Sequence, residues 1–168
     1  TRSGRIGVIG TAATIRSGAY GKAIRNIRPD ASVIGNACTM FVPMVENGIT
    51  SPDDIVVKTM TERYLKPIKD ENVDVLILGC THYPILYDAI ADYMGEGVKL
   101  ISSGAEAARY TMNMLASKNM LSSRTGNGTV SYYTSDSKEL FETNAHAFIG
   151  SRLNGEVTQI SIDDIIQK

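Results

Sequence analysis

The chain has 168 residues, 43% of them hydrophobic, with a formal net charge of -1 and a sequence pI near 6.1: length for one domain or two small ones, and enough apolar material for a packed core. So even a charge balance gives no electrostatic reason to bind nucleic acid or a membrane surface, and no apolar run approaches the roughly 18 residues that span a bilayer. Two cysteines do not make a secreted disulfide framework, and polar Thr1–Gly4 running straight into a strand is no signal peptide, so the cytoplasm is the expected compartment.

Arg5–Ile9 reads as a short strand followed by the loop Gly10–Thr14. Ile15, Ala19, Ala23 and Ile27 recur at close to helical spacing and predict one helix to about Arg28, stopped before Pro29. Thr11 and Thr14, three apart at this junction, can cap that helix or offer hydroxyls and amides to a carboxylate. Gly7-x-x-Gly10 is too sparse for a dinucleotide fingerprint. Ala31–Gly35 is a second strand, Asn36–Pro43 a loop carrying Cys38, and Pro43–Glu46 a turn of helix. Ser51-Pro52-Asp53-Asp54 predicts a helix start with serine at the cap, and Ile55, Val56, Met60, Tyr64, Leu65 and Ile68 supply an apolar face ending near Lys69.

Val73–Leu86 is the stretch around which the rest is arranged. Val73, Val75, Leu76, Ile77 and Leu78 suit a strand buried on both faces, and the run stops at Gly79. Cys80, Thr81 and His82 follow, then Tyr83-Pro84 opens a helix predicted to reach Tyr93. A thiol, a hydroxyl and an imidazole thus fall just beyond the carboxyl end of a central strand, where ligands sit in open parallel sheets. Val98–Ile101 is the next strand, and Ser103-x-x-Glu106 a capping box for a helix Ala105–Leu115. Ser117–Gly128 is a loop, Thr129–Thr134 a strand, Asp136-x-x-Glu139 the start of a helix to about Ile149, and Val157–Ile160 an edge strand. No element is assigned to Ser161–Lys168. The alternation of strands and helices is that of an α/β protein, a parallel-sheet sandwich with helices on both faces.

Cys38 reads as a small buried hydrophobe. Cys80 has two readings, structural filler or reactive thiol, since a helix start and a neighbouring imidazole both favour thiolate, the form that takes a proton or attacks an electrophile. His82 is either a polar loop residue or the group that tunes Cys80. A metal centre needs three or four ligands, and with two cysteines and two histidines in the chain, no metal is expected.

Leu78-Gly79-Cys80-Thr81-His82-Tyr83-Pro84 resembles the signature of the glutamate racemases, in which G-C-T-H-[YF]-P carries one of two catalytic cysteines. Gly7–Tyr20 resembles the family's G-V-I-G-T-x-x-T-x-x-S-x-x-Y segment. Ala37–Glu46 is similar to its A-C-P-x-F-V-P-x-V-E, with Thr39 in place of the usual proline, and Leu100–Glu106 is similar to the stretch after the second cysteine. The likeness weakens beyond Leu115. It implies cofactor-independent interconversion of L- and D-glutamate, the latter for peptidoglycan synthesis, by two bases on opposite faces of the α-carbon. Cys80 would be one base and His82 its assistant, on the thiol or on the substrate's amino group. Thr81 would hold the substrate, and Thr11 and Thr14 would line the carboxylate pocket. Glu46 would support the Cys80 side, its other reading being a solvated charge.

The resemblance also implies a homodimer for the full-length enzyme and two similar α/β domains with the site between them. Residues 5–99 would form one complete domain, and residues 100–168 would return to the other. The family's D-S-G-x-G-G and A-C-N-T motifs, the second bearing the other catalytic cysteine, are absent, and Cys38 aligns with a different block. The chain is therefore expected to hold half of a two-sided site, to be inactive alone, and to expose apolar surface from Ile101 onward. An aspartate or hydantoin racemase remains an alternative, against which His82 argues. A non-catalytic binding or regulatory module is another.

Overall fold

A computed structural model describes residues 1–126 and 128–163. The tail without a predicted element lies outside the described residues from 164 onward, as does position 127 of the predicted loop. The chain divides into two compact units, Thr1–Met120 and Leu121–Lys168.

In the first unit β1 (Arg5–Gly10), β2 (Ser32–Ala37), β3 (Val75–Gly79) and β4 (Lys99–Ser102) form a parallel sheet in the order β2-β1-β3-β4. The two inner strands carry the unbroken apolar runs, as strands covered on both faces must. Ile6, Val8 and Ile9 of β1 and Val75, Leu76 and Leu78 of β3 are buried. Between the strands run α1 (Ala12–Ser17), α2 (Ala19–Ile27), α3 (Phe41–Glu46) and α4 (Ile55–Lys69). A single 3-10 turn, Tyr83–Leu86, leads from β3 into α5 (Tyr87–Met94), and α6 (Ser103–Ser117) follows β4.

Helices cover both faces. Ile24 of α2 packs with Ile77 and Ile101 against buried Ile6, Ala31 and Val75. On the opposite face Val57, Thr61, Leu65 and Ile68 of α4 are buried at helical spacing. Gly7 is required beneath them, because a Cβ there would stand 2.6 Å from Ile68 Cγ2 and 3.0 Å from Leu76 Cδ1. By contrast α6 buries no side chain and leaves Tyr110 and Met112 exposed.

The second unit contains β5 (Tyr132–Thr134) paired in parallel with β6 (Val157–Gln159), joined through α7 (Lys138–Ile149). Val157 is buried, and the Tyr132 ring lies 5.9 Å from that of Phe141.

Several boundaries differ from the expectations. The helix predicted from Ile15 to Arg28 is two helices, because Gly18 sits at φ 62°, a left-handed conformation that ends α1 and reopens the chain as α2. Ser51 does not cap α4: its carbonyl accepts from the Asp54 amide in a turn, and the Asp54 side chain accepts from Val56 N at 2.7 Å. Ser102, not Ser103, caps α6, while Ser103 Oγ donates to the Leu78 carbonyl at 2.9 Å and ties α6 to β3. Glu106 pairs with Arg109 instead of closing a capping box. Ser137, not Asp136, caps α7, and the strand expected from Thr129 begins at Tyr132.

Candidate active site

The site is set by strand register. Ala37, Gly10 and Gly79 are paired neighbours at the carboxyl ends of β2, β1 and β3, so Cys38, Thr11 and Cys80 are the next residues along three adjacent strands. Gly79 is needed at that edge, since a Cβ would stand 2.8 Å from the Ile9 carbonyl oxygen and 3.1 Å from Tyr20 Cε2.

Beyond Gly79 the polar side chains converge. Cys80 Sγ lies 3.9 Å from His82 Nδ1, and Thr81 Oγ1 lies 3.3 Å from the same nitrogen. His82 Nε2 lies 3.2 Å from Oε1 of Glu46, the last residue of α3. In the tautomer whose Nε2 donates to the Glu46 carboxylate, Nδ1 faces the thiol and the hydroxyl as an acceptor. The imidazole thus stands between the Cys80 thiol and the Glu46 carboxylate, within reach of both. The His82 side chain is 21% exposed and that of Glu46 45%, so the pair is reachable from solvent and partly screened. Cys80 is half-buried and Thr81 exposed.

Of the candidates read from sequence, Glu46, Cys80, Thr81 and His82 meet in one hydrogen-bonded group. Thr11 and Thr14 form a second: Thr11 Oγ1 accepts from Thr14 N at 3.2 Å and lies 3.0 Å from Thr14 Oγ1, so Thr11 caps α1. The two groups hang from paired strand ends, Gly10 and Gly79. The dipole expected behind Cys80 is short, because a 3-10 turn of four residues, Tyr83–Leu86, precedes α5. Cys38 is fully buried, its Sγ 4.0 Å from the Asn36 carbonyl; burial, with Cys80 nearby, pushes its thiol far above the ordinary range. It is therefore a poor proton acceptor. Among the described residues no group of three or more His, Cys, Asp or Glu side chains is placed to hold a metal ion, and no helix is long and apolar enough to cross a membrane.

The hydroxyl contacts of two phenols escaped the sequence reading. Tyr83, fully buried, donates to the Cys38 carbonyl at 3.0 Å, and burial pushes its hydroxyl well above the usual range. The Tyr64 hydroxyl, from α4, accepts from Met40 N at 3.2 Å and lies 3.1 Å from Thr39 Oγ1. At helical spacing among Leu65 and Ile68, Tyr64 looks like core, and no sequence signal marks its hydroxyl.

The chain belongs to the Asp/Glu/Hydantoin racemase family, whose profile matches residues 1–111. Its relatives include a glutamate racemase from Geobacter metallireducens, 42% identical over 163 residues that cover 97% of this chain and 59% of that protein. Two solved glutamate racemases share the fold: that of Francisella tularensis, in complex with D-glutamate, with a TM-score of 0.85 at 33% identity, and one from Bacillus anthracis with 0.88 at 34%. Each comparison covers 96% of this chain and 59% of the other. The chain thus spans 59% of the length of all three proteins.

Proposed function

We propose that these residues form one half of a cofactor-independent, two-base glutamate racemase, with Cys80 as the base for one face of the α-carbon. The observation that carries this reading is the Cys80–His82–Glu46 arrangement, with Sγ to Nδ1 at 3.9 Å and Nε2 to Oε1 at 3.2 Å. The α-proton of an amino acid is very weakly acidic, so its removal needs a positioned base and its return, on the opposite face, a positioned acid. The Cys80 thiolate takes the proton and becomes a thiol, the electron pair stays on the substrate as a carbanion, and an acid across the site delivers a proton to complete inversion. For the other enantiomer the roles exchange. An ordinary thiol pKa of about 8.5 keeps thiol and thiolate both within reach. Thr81 holds the substrate, and Thr11 and Thr14 receive a carboxylate.

The second base lies outside these 168 residues, for Cys38, buried and held protonated, is unsuited to the task. Residues 5–99, with β4 and α6 completing their layers, act as one domain, and the residues after them return to a second. The uncovered Tyr110 and Met112 of α6 support this, as surface that further chain would bury. In the cell the product would serve peptidoglycan synthesis in the cytoplasm, made by a homodimer of the complete enzyme.

The test is loss of the glutamate α-proton in deuterated water, followed by NMR. The 168-residue chain alone is expected to exchange neither enantiomer at a useful rate. Extended to the length of its relatives it is expected to exchange both, and Cys80→Ser in that form to lose about 10²–10⁴-fold, the usual worth of a positioned acid–base group. Undiminished exchange by the Cys80→Ser form overturns the assignment of the base. Rapid exchange by the chain alone overturns the half-site.

A further inference from the structure

Glu46 reaches His82 from the end of a short helix that is anchored by buried Phe41, Met44 and Val45 and tied at its start to other elements. α3 has six residues, too few for independent stability, and no side chain caps its start at Met40. Its start is further tied from outside. The Tyr64 hydroxyl, from α4, accepts from Met40 N and meets Thr39 Oγ1, while the Tyr64 carbonyl accepts from Asn36 Nδ2 at 2.7 Å. The Tyr83 hydroxyl donates to the Cys38 carbonyl at 3.0 Å. Between these two rings stands Phe41, fully buried, edge-on to each at centroid distances of 5.3 Å. Tyr83 is also the residue directly after His82, so one ring joins the loop that leads to Glu46 and the loop that carries its partner.

We propose that Tyr64 and Tyr83 are positioning residues for the Glu46–His82 pair, their two hydroxyls pinning the Cys38–Met40 loop from which α3 delivers Glu46. This deepens the function proposed above and rests on it for its catalytic meaning. Neither phenol touches the reacting atoms. Their action runs through Glu46, and that predicts a definite dependence between substitutions: removing a hydroxyl matters while Glu46 is present to be positioned, and ceases to matter once it is gone. A phenol that merely stabilised the core would have the same effect in either background.

The experiment follows Cys80 directly and needs no substrate, so it can fail while the racemase reading stands, or hold while that reading falls. Iodoacetamide alkylation of Cys80 in the 168-residue chain is followed at neutral pH by peptide mass spectrometry, which separates it from buried Cys38. Tyr64→Phe and Tyr83→Phe keep both rings on Phe41, and the Cys38 carbonyl still accepts from Phe41 N. Glu46→Gln removes the carboxylate. Glu46→Gln and each Tyr→Phe change are expected to slow alkylation about fivefold, the factor one ordinary hydrogen bond is worth. Each Tyr→Phe change is expected to have no further effect in the Glu46→Gln background, and exposed Tyr110→Phe no effect at all. Tyr→Phe effects that persist undiminished without Glu46, or an absence of any effect from Glu46→Gln itself, overturn the proposal.

Discussion

Replacing Gly79 with alanine tests whether the site depends on the close meeting of strand ends. The new methyl group would stand 2.8 Å from the Ile9 carbonyl oxygen and 3.1 Å from Tyr20 Cε2. The Tyr20 ring is a side chain with room to tilt. The carbonyl belongs to β1, which is paired on one side with β2 and on the other with β3, and it cannot withdraw without opening a ladder. Overpacking of this kind costs about 1–3 kcal/mol. In urea, where a small protein loses about 1–3 kcal/mol per molar, the midpoint followed by far-UV circular dichroism is expected to fall by about 1 M. Gly97→Ala is the control: no atom lies within 4 Å of its added Cβ, and its backbone is of an ordinary kind, so it is expected to be neutral or to stabilise by about 0.4–1 kcal/mol. Because Cys80 is the next residue, Gly79→Ala is also expected to change the alkylation rate of Cys80. Equal urea midpoints for the two variants, with Cys80 reacting as in the parent chain, would refute the reasoning.

Cys38 makes stability fall at high pH. Its thiol is held protonated in the folded chain and ionises near pH 8.5 when unfolded, so above that value the unfolded state binds fewer protons and stability declines by about 1.4 kcal/mol per pH unit. Urea midpoints between pH 8.5 and 10 check this, and Cys38→Ala is expected to flatten that slope; an unchanged slope sinks the assignment. Asp54→Ala is expected to cost about 1 kcal/mol through loss of the bond to Val56 N, and Ser51→Ala almost nothing. Thermal melts of the two variants separate the cap the structure displays from the one the sequence suggested.

Legibility followed the range of the interactions. Val75–Leu78 announces a strand covered on both faces because such burial leaves an unbroken apolar run, and the alternation of strands and helices from residue 5 to 102 was legible, whereas the order β2-β1-β3-β4 within the sheet was not, since pairing joins segments distant in the chain. Cap positions slipped by one to three residues at Ser51, Ser103 and Asp136, because serine and aspartate stand side by side with similar residues and only the main-chain turn decides which is used. Gly18 went unread because helical spacing continues across it, while its positive φ is a property of three dimensions. In the site, Cys80, Thr81 and His82 were legible as neighbours in sequence. Glu46 lies 36 positions from His82 and was nameable only through a motif; Tyr83 stands in the Cys80 motif and Tyr64 in the apolar face of α4, but nothing marked what either hydroxyl holds, since a phenol's hydroxyl gives no periodic signal.

The matched ends of β1, β2 and β3 carry a consequence for how such proteins diversify. The Cys38 amide still bonds to the Gly10 carbonyl, at 3.0 Å, so pairing at this edge is a main-chain matter. The side chains at positions 11 and 80 take no part in that pairing, whereas Cys38, fully buried, is held by the core. A lineage could therefore alter acid strength, size or charge at these two rim positions, one at a time, and change the chemistry there on an undisturbed scaffold.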